Sequence, residues 1–323
     1  MLPGKTSLLK PLLTSAAVIS RSGLASNVSG AKYCLDLVKR RDYDRFLANL
    51  LLPDPKTRAA AFAVSAFNVE VASVRDQVTD KTIGLMRLQF WRDTVESLYH
   101  KPETELQQPV ARELRNAVRE FDLSKELLQR IITSRERSLT DRPFDSLEDA
   151  EKYAHDAFTS VNYLLLETLT KKTTKDDSES NKLEGHARHA ANQLGLAQGL
   201  TTLLRAVPYN ASKRRVYLPT DLLMTHNVSQ EDIVRKGQDC EGLKLVVEAV
   251  AERAQEHLDN CRFRGKFLGD ARDVKLLLLP AISVDGFLNS LHKANCNVFD
   301  GKLQAKNSWL PMLYSYHKFR GSY

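Results

Sequence analysis

The first 35 residues contain no aspartate or glutamate; Asp36 is the first acid. Within residues 1–30 the only charges are Lys5, Lys10 and Arg21. They stand among six serines and the apolar clusters Leu8–Leu9, Leu12–Leu13 and Ala16–Ile19. Acid-poor, serine-rich and basic is the composition of a mitochondrial transit peptide. The expected division is a disordered leader over 1–30, cleaved between Ser20 and Ala31, and a folded domain over 31–323. A secretory signal needs an unbroken apolar core, and Lys10, Pro11, Thr14 and Ser15 interrupt this one. An untargeted leader is the remaining alternative.

Other absences narrow the function classes. No apolar run approaches the ~18–20 residues that span a bilayer. The longest, Leu276–Ile282, is short and holds Pro280, so a soluble or peripheral protein is expected. Cys34, Cys240, Cys261 and Cys296 have no C-x-x-C spacing, which argues against a zinc site or a disulfide framework. His186 and His189 lie three apart without a second ligand pair and read as ordinary histidines. The net charge of +7 falls to +4 without the leader, with both signs well mixed. Nucleic-acid binding would instead cluster lysine and arginine on one face. No nucleic-acid partner and no cofactor are expected.

With 14 glycines and 11 prolines in 323 residues, little breaks helical periodicity. Ile83, Met86, Phe90, Val95 and Leu98 mark one expected amphipathic face. Val110, Leu114, Val118 and Phe121 mark a second. Val246, Val247, Val250, Ala254, Leu258 and Cys261 mark a third. Ser146 with Asp149, and Ser229 with Asp232, have the spacing of helix N-caps with an acid in the first turn. Pro53-Asp54-Pro55 is expected to end one helix, and Pro208 the helix beginning near 182. No alternating strand pattern competes, so the expectation is an all-α domain of about ten helices. The polar stretch Thr170–Asn181 reads as a flexible surface loop, centred on 171–181.

Two stretches carry a resemblance. Residues 61–76 read A-F-A-V-S-A-F-N-V-E-V-A-S-V-R-D, and 194–219 read L-G-L-A-Q-G-L-T-T-L-L-R-A-V-P-Y-N-A-S-K-R-R-V-Y-L-P. With Asp42–Pro53 and Gly84–Tyr99, they resemble the squalene/phytoene synthase family across roughly residues 32–320. The resemblance implies a single-domain, isoprenoid-synthase-like bundle around a central cavity. It also implies two acidic motifs that hold magnesium against a substrate diphosphate. Matched residue by residue, the first motif falls on Ala72, Ser73 and Asp76, and the second on Ala206 and Asn210. Only Asp76 is acidic. Magnesium needs hard oxygen ligands in octahedral geometry, and removing one electrostatic contributor in an enzyme costs roughly 10²–10³ in rate. The implied catalytic residues are therefore none, and the chain reads as a pseudoenzyme. A clamp relocated to Asp76, Asp80 and Glu70 is a weaker reading, because Asp80 beside Lys81 has the setting of a solvated helix end.

Within that family, the leader, the emptied acid positions and the runs Lys81–Arg92 and Val228–Asp232 resemble a mitochondrial branch that helps build respiratory complex I. That resemblance implies partners among complex I subunits or other assembly factors, at the matrix face of the inner membrane. A residual prenyltransferase and a non-catalytic isoprenoid or quinone carrier stay open beside it.

Several residues are retained around the emptied motif. Arg205, Lys213, Arg214, Arg215 and Tyr217 form an expected anion or partner contact, since arginine presents a forked donor; a solvated basic loop is the plainer reading. Gly195 and Gly199, four apart in an alanine-rich helix, suit either a cavity wall or close packing. The C-terminal run Trp309–Arg320 interleaves aromatics with bases. It suits either contact with a membrane interface or a last core helix with snorkelling bases.

Overall fold

A computed structural model of the chain describes residues 30–100, 106–170, 178–269 and 271–323. The expected leader, Gly30 apart, and residues 171–177 of the expected loop lie outside the described residues. Among those described there is no strand. Helices form because local sequence starts them cleanly. The helix α1 (Gly30–Arg41) is followed directly by α2 (Tyr43–Leu50), where the Asp42 side chain accepts the Arg45 N–H at 3.1 Å. Asp54 does the same for Thr57 at 2.8 Å, with Pro55 in the first turn, and starts α3 (Pro55–Gln77). Such caps satisfy amide donors that the first turn leaves open.

The helix α3 is buried almost all round, from Ala60 to Phe67 and on to Val74. It is the central rod, flanked by α1, by α5 (Pro109–Phe121) and by α8 (Ser160–Thr170). Between α3 and α5 runs α4 (Lys81–His100), opened by Asp80, which accepts the Thr82 N–H at 2.6 Å. After α5 come α6 (Lys125–Ser138) and α7 (Leu147–Ala154), the latter capped by Ser146 on Asp149 N–H as its spacing predicts. A single π turn, His155–Thr159, joins α7 to α8; the Ser160 N–H reaches back to His155 O.

The second half is organised by α9 (Ser178–Arg205), which lies along α13 (Leu243–Gly265). Between them, α10 (Val207–Ser212), α11 (Thr220–Thr225) and α12 (Gln230–Lys236) form a short-helix corner. The Ser229 hydroxyl caps α12 on Asp232 N–H at 3.0 Å. Then α14 (Arg272–Leu277), α15 (Pro280–Lys293) and α16 (Leu310–Arg320) close the bundle. With these short helices the count among the described residues exceeds the roughly ten helices expected. Val246, Val247, Val250, Ala254, Leu258 and Cys261 are all buried, as are Val110, Leu114, Val118 and Phe121; both periodic faces are core.

Four expectations need correction. On α4 the buried positions are Gly84, Leu88, Trp91, Thr94, Val95 and Leu98, while Ile83, Met86 and Phe90 are 50%, 68% and 52% exposed. The expected face merged two faces of one helix. Ser178–Asn181, expected in a loop, belong to the first turn of α9. Pro208 does not end α9, which stops at Arg205; it sits in the first turn of α10, where its missing N–H costs no hydrogen bond. Finally, Arg272–Lys293 is long and apolar enough to cross a membrane by length and composition, but 56% of its apolar 18-residue window is buried inside the protein, and Leu276–Leu279 and Val284 are core.

Gly195 and Gly199 settle as packing residues. A Cβ on Gly195 would lie 2.2 Å from Thr159 Oγ1 and 2.6 Å from Thr159 Cα; one on Gly199 would lie 2.2 Å from Ala154 Cβ. The π turn and the end of α7 rest directly on the α9 backbone, and neither glycine lines the cavity described next.

Candidate functional site

A cavity of about 790 Å³ opens between α2, α3, α9, α15 and the segment 302–310. A narrower extension of about 100 Å³ shares Asp44, Asn68, Phe158 and Arg205 with it and runs inward to Arg45, Val161, Gln198 and Thr201. Helical spacing builds the walls. On α3, Asn68, Val69, Ala72, Ser73 and Asp76 share one face; on α9, Gln198, Thr201, Thr202 and Arg205 share another. The walls mix apolar Val69, Ala72, Phe158, Phe287, Leu303 and Leu310 with polar groups.

The floor is a hydrogen-bonded polar cluster that the residue patterns did not single out. Buried Arg45 donates to Asn162 Oδ1 at 3.0 Å and to Gln198 Oε1 at 3.3 Å. Asn162 in turn donates to Gln198 Oε1 at 3.1 Å and to Ala191 O at 3.1 Å. Desolvation pulls the Arg45 guanidinium below its ordinary value against the charge of Asp42. The same burial raises the Asp42 carboxyl, opposed by Arg45. Behind this floor a second buried arginine, Arg135, donates to Asn68 Oδ1 at 3.2 Å and packs over Tyr153 and Phe158. The signal available in sequence was a charged residue, Arg45, immediately before the core-facing run Phe46–Ala48.

Of the residues expected at the site, Ala72, Ser73, Asp76 and Arg205 meet at the cavity wall; Ala206, Asn210, Lys213, Arg214, Arg215 and Tyr217 are not among its lining. Ser73 turns its hydroxyl back onto Val69 O at 2.7 Å. The main-chain carbonyl of Asn210 accepts the Lys213 and Arg215 N–H groups, both at 2.9 Å, closing the turn after α10. Arg205 reaches Asp44 at 3.7 Å and lies over the Phe287 ring at 4.8 Å. Arg214 faces outward to Glu231 at 3.3 Å, and Lys213 is exposed.

Arg215 crosses to the other motif. It bonds Asp76 at 3.2 Å and lies 3.4 Å from Asp141. Asp141 also receives Arg75 in a two-pronged pair and the Tyr217 hydroxyl at 2.9 Å. Burial works against the Asp141 charge, but the bonds from Arg75 and Tyr217 and the charges of Arg75 and Arg215 outweigh it and hold this carboxyl below its ordinary value. Burial, helped by Asp141, pushes the Tyr217 phenol up.

This donor set does not fit a magnesium cluster. Ala72 and Ala206 offer methyl groups, Asn210 is not part of the cavity lining, and the Asp76 carboxylate is engaged by a guanidinium. The relocated clamp fails on geometry as well: Glu70 accepts the Tyr33 hydroxyl at 3.1 Å and Asp80 caps α4. Among the described residues no group of three histidine, cysteine, aspartate or glutamate side chains is arranged to hold a metal ion. His186 instead stacks on Phe267.

The sequence profile of squalene/phytoene synthase matches residues 38–309. The chain belongs to the squalene/phytoene synthase family. Its fold is that of the enzymes: a crystal structure of a dehydrosqualene synthase in complex with ligand superposes with a TM-score of 0.73, at 20% identity, covering 90% of this chain and 96% of that one. By sequence the family member is much nearer to proteins named NADH dehydrogenase (ubiquinone) complex I, assembly factor 6. That of Bos taurus is 39% identical over 320 residues, 98% of this chain and 90% of the relative. That of Homo sapiens is 39% identical over 317 residues, again covering 90% of the relative.

Proposed function

We propose that this chain assists the assembly of mitochondrial respiratory complex I as a non-catalytic scaffold, working peripherally at the matrix face of the inner membrane. Its partners are complex I subunits or other assembly factors. The names of its near-full-length relatives support the assembly role. The observation that carries the non-catalytic part is the pairing of Asp76, the remaining acid of the matched motifs, with Arg215. Ionising an allylic diphosphate requires cationic stabilisation of the leaving group. Here a fixed protein cation neutralises the acid that would bring the metal.

The deciding experiment is complex I abundance by native gel in depleted cells re-expressing Asp76→Ala at normal protein level. Full rescue is the expected outcome, with other respiratory complexes unaffected by depletion. Failure of an imported, folded variant would make that carboxylate functional and reopen magnesium-dependent prenyl transfer.

A cavity of this volume with half-apolar walls favours one further reading, a carrier that binds an isoprenoid or quinone-like lipid without turning it over. A blocking side chain for testing that reading belongs at Ala72, on the cavity wall, rather than at Gly195 or Gly199.

A further inference from the structure

The last helix is half core and half surface. On α16, Leu310 and Tyr314 are buried, and Lys318 Nζ anchors the helix to Leu51 O at 2.7 Å. The opposite face carries Trp309 at 67% exposure, Met312, Leu313, Tyr316 and Phe319 at 90%. Their spacing of three, four, seven and ten from Trp309 puts them on one side of a helix, so the stripe is continuous.

The chain segment that carries this stripe has charge of one sign. From Gly301 to Tyr323 there is no aspartate or glutamate, while Lys302, Lys306, Lys318 and Arg320 are fixed cations. Arg320 lies along the stripe, donating to the Tyr316 hydroxyl at 2.8 Å. Lys302 and Lys306 line the cavity, as do Asn307 and Leu310, the latter next in the chain to Trp309. The apolar stripe, the cation border and the cavity mouth are therefore one contiguous surface. At eleven residues, α16 is roughly 16 Å long, about half of a hydrocarbon core; it can lie in an interface but not span it.

We infer that this face of α16, with Lys302 and Lys306, is the surface by which the protein seats on an anionic lipid bilayer, so that the cavity mouth opens at the lipid headgroups. The inference rests on the peripheral placement proposed above and specifies it. Tryptophan, tyrosine and phenylalanine with flanking bases suit the headgroup boundary, where rings bury their apolar part and cations meet lipid phosphate. A segment from Gly301 to Tyr323 with bases and without acids matches an anionic surface.

The test is co-sedimentation of the full chain with phosphatidylcholine vesicles, with and without cardiolipin, beside W309S/F319S and K302Q/K306Q. These four side chains are on the surface or in the cavity lining, and unchanged circular dichroism confirms folding. Expected are salt-sensitive binding to the cardiolipin vesicles, a loss of about tenfold in W309S/F319S and about fivefold for each cation removed in K302Q/K306Q. Wild-type binding that W309S/F319S leaves unchanged overturns the inference while the peripheral placement stands, carried by another surface. Wild-type protein that binds neither vesicle overturns both. Equal binding to neutral vesicles overturns the anionic requirement. If W309S/F319S binds vesicles normally but loses a wild-type dimer in light scattering, the face belongs to a second copy. If it binds normally but fails to restore complex I in depleted cells, the face belongs to a protein partner. Either result overturns the lipid assignment.

Discussion

Individual residues decide whether α9 packs or encloses. Glycine inside a helix costs about 1 kcal/mol relative to alanine, so its presence at 195 needs a spatial reason. The reason is Thr159, whose Oγ1 and backbone stand within 2.2–2.7 Å of where a Cβ would be. Backbone cannot yield as a flexible side chain can. Gly195→Ala is therefore expected to destabilise by about 1–3 kcal/mol, the range for overpacking. Gly185→Ala, with nothing within 4 Å of the added atom, is expected to stabilise by up to about 1 kcal/mol. Urea unfolding of the two variants tests this; equal and stabilising effects would mean that α9 and the π turn are not in contact. The sequence left both uses of the glycine pair open because spacing reports that a neighbour is close without saying whether it is backbone or ligand. The same limit hid the cavity floor. Arg45, Asn162 and Gln198 are 36 to 153 positions apart, and no local pattern joins them.

At the scale of elements, the helices and the Ser146 and Ser229 caps were legible, while the start of α9, the role of Pro208 and one face of α4 were not. Asp and Ser at helix starts accept N–H groups two or three positions on, and Pro sets φ in the first turn; sequence spacing displays both directly. The face of α4 was misjudged because apolar residues occur on both sides of it. Leu88 is fully buried whereas Met86 and Phe90 are more than half exposed. Leu88→Ala is expected to cost about 2–5 kcal/mol, transfer plus cavity. Met86→Ser and Phe90→Ser should each stay within about 0.5 kcal/mol of wild type, as surface changes do. Thermal unfolding midpoints separate the two sets, and a large loss in Met86→Ser would restore the expected face. The C-terminal helix follows the same rule in reverse: its periodicity fitted core or interface, and the structure buries one face and leaves the other exposed.

Across the whole molecule, the emptied motif positions were legible residue by residue, but their replacement was not. Arg75 and Asp76 at the end of α3, Asp141 after α6, and Arg215 and Tyr217 after α10 come from three distant parts of the chain and form one charged cluster. Asp141 is its hub, and its lowered pKa makes the cluster pH-dependent. A carboxyl held below its ordinary value contributes stability above the unfolded pKa near 3.9 and loses it as pH falls through the folded value. Asp141→Asn keeps a side chain that accepts the left-handed backbone at this site, where φ is +53°. The variant is therefore expected to be less stable than wild type at pH 6, with the gap closing below pH 4. Denaturant midpoints at the two pH values check it; a gap that persists unchanged at pH 3 would show that the charge of Asp141 is not what holds the cluster.

The π turn at His155–Thr159 also governs which changes of length the fold tolerates. An α-helix turns 100° per residue, and a π turn holds one residue more within its hydrogen-bonded loop. The extra residue sets the rotation of α7 relative to α8, so Tyr153 reaches Arg135 while Phe158 faces the cavity. Deleting one residue here would heal the hydrogen-bond ladder and swing every earlier side chain about a quarter of a circle out of place. Substitutions alter what the cavity wall is made of; a deletion at this turn would alter which way the wall faces.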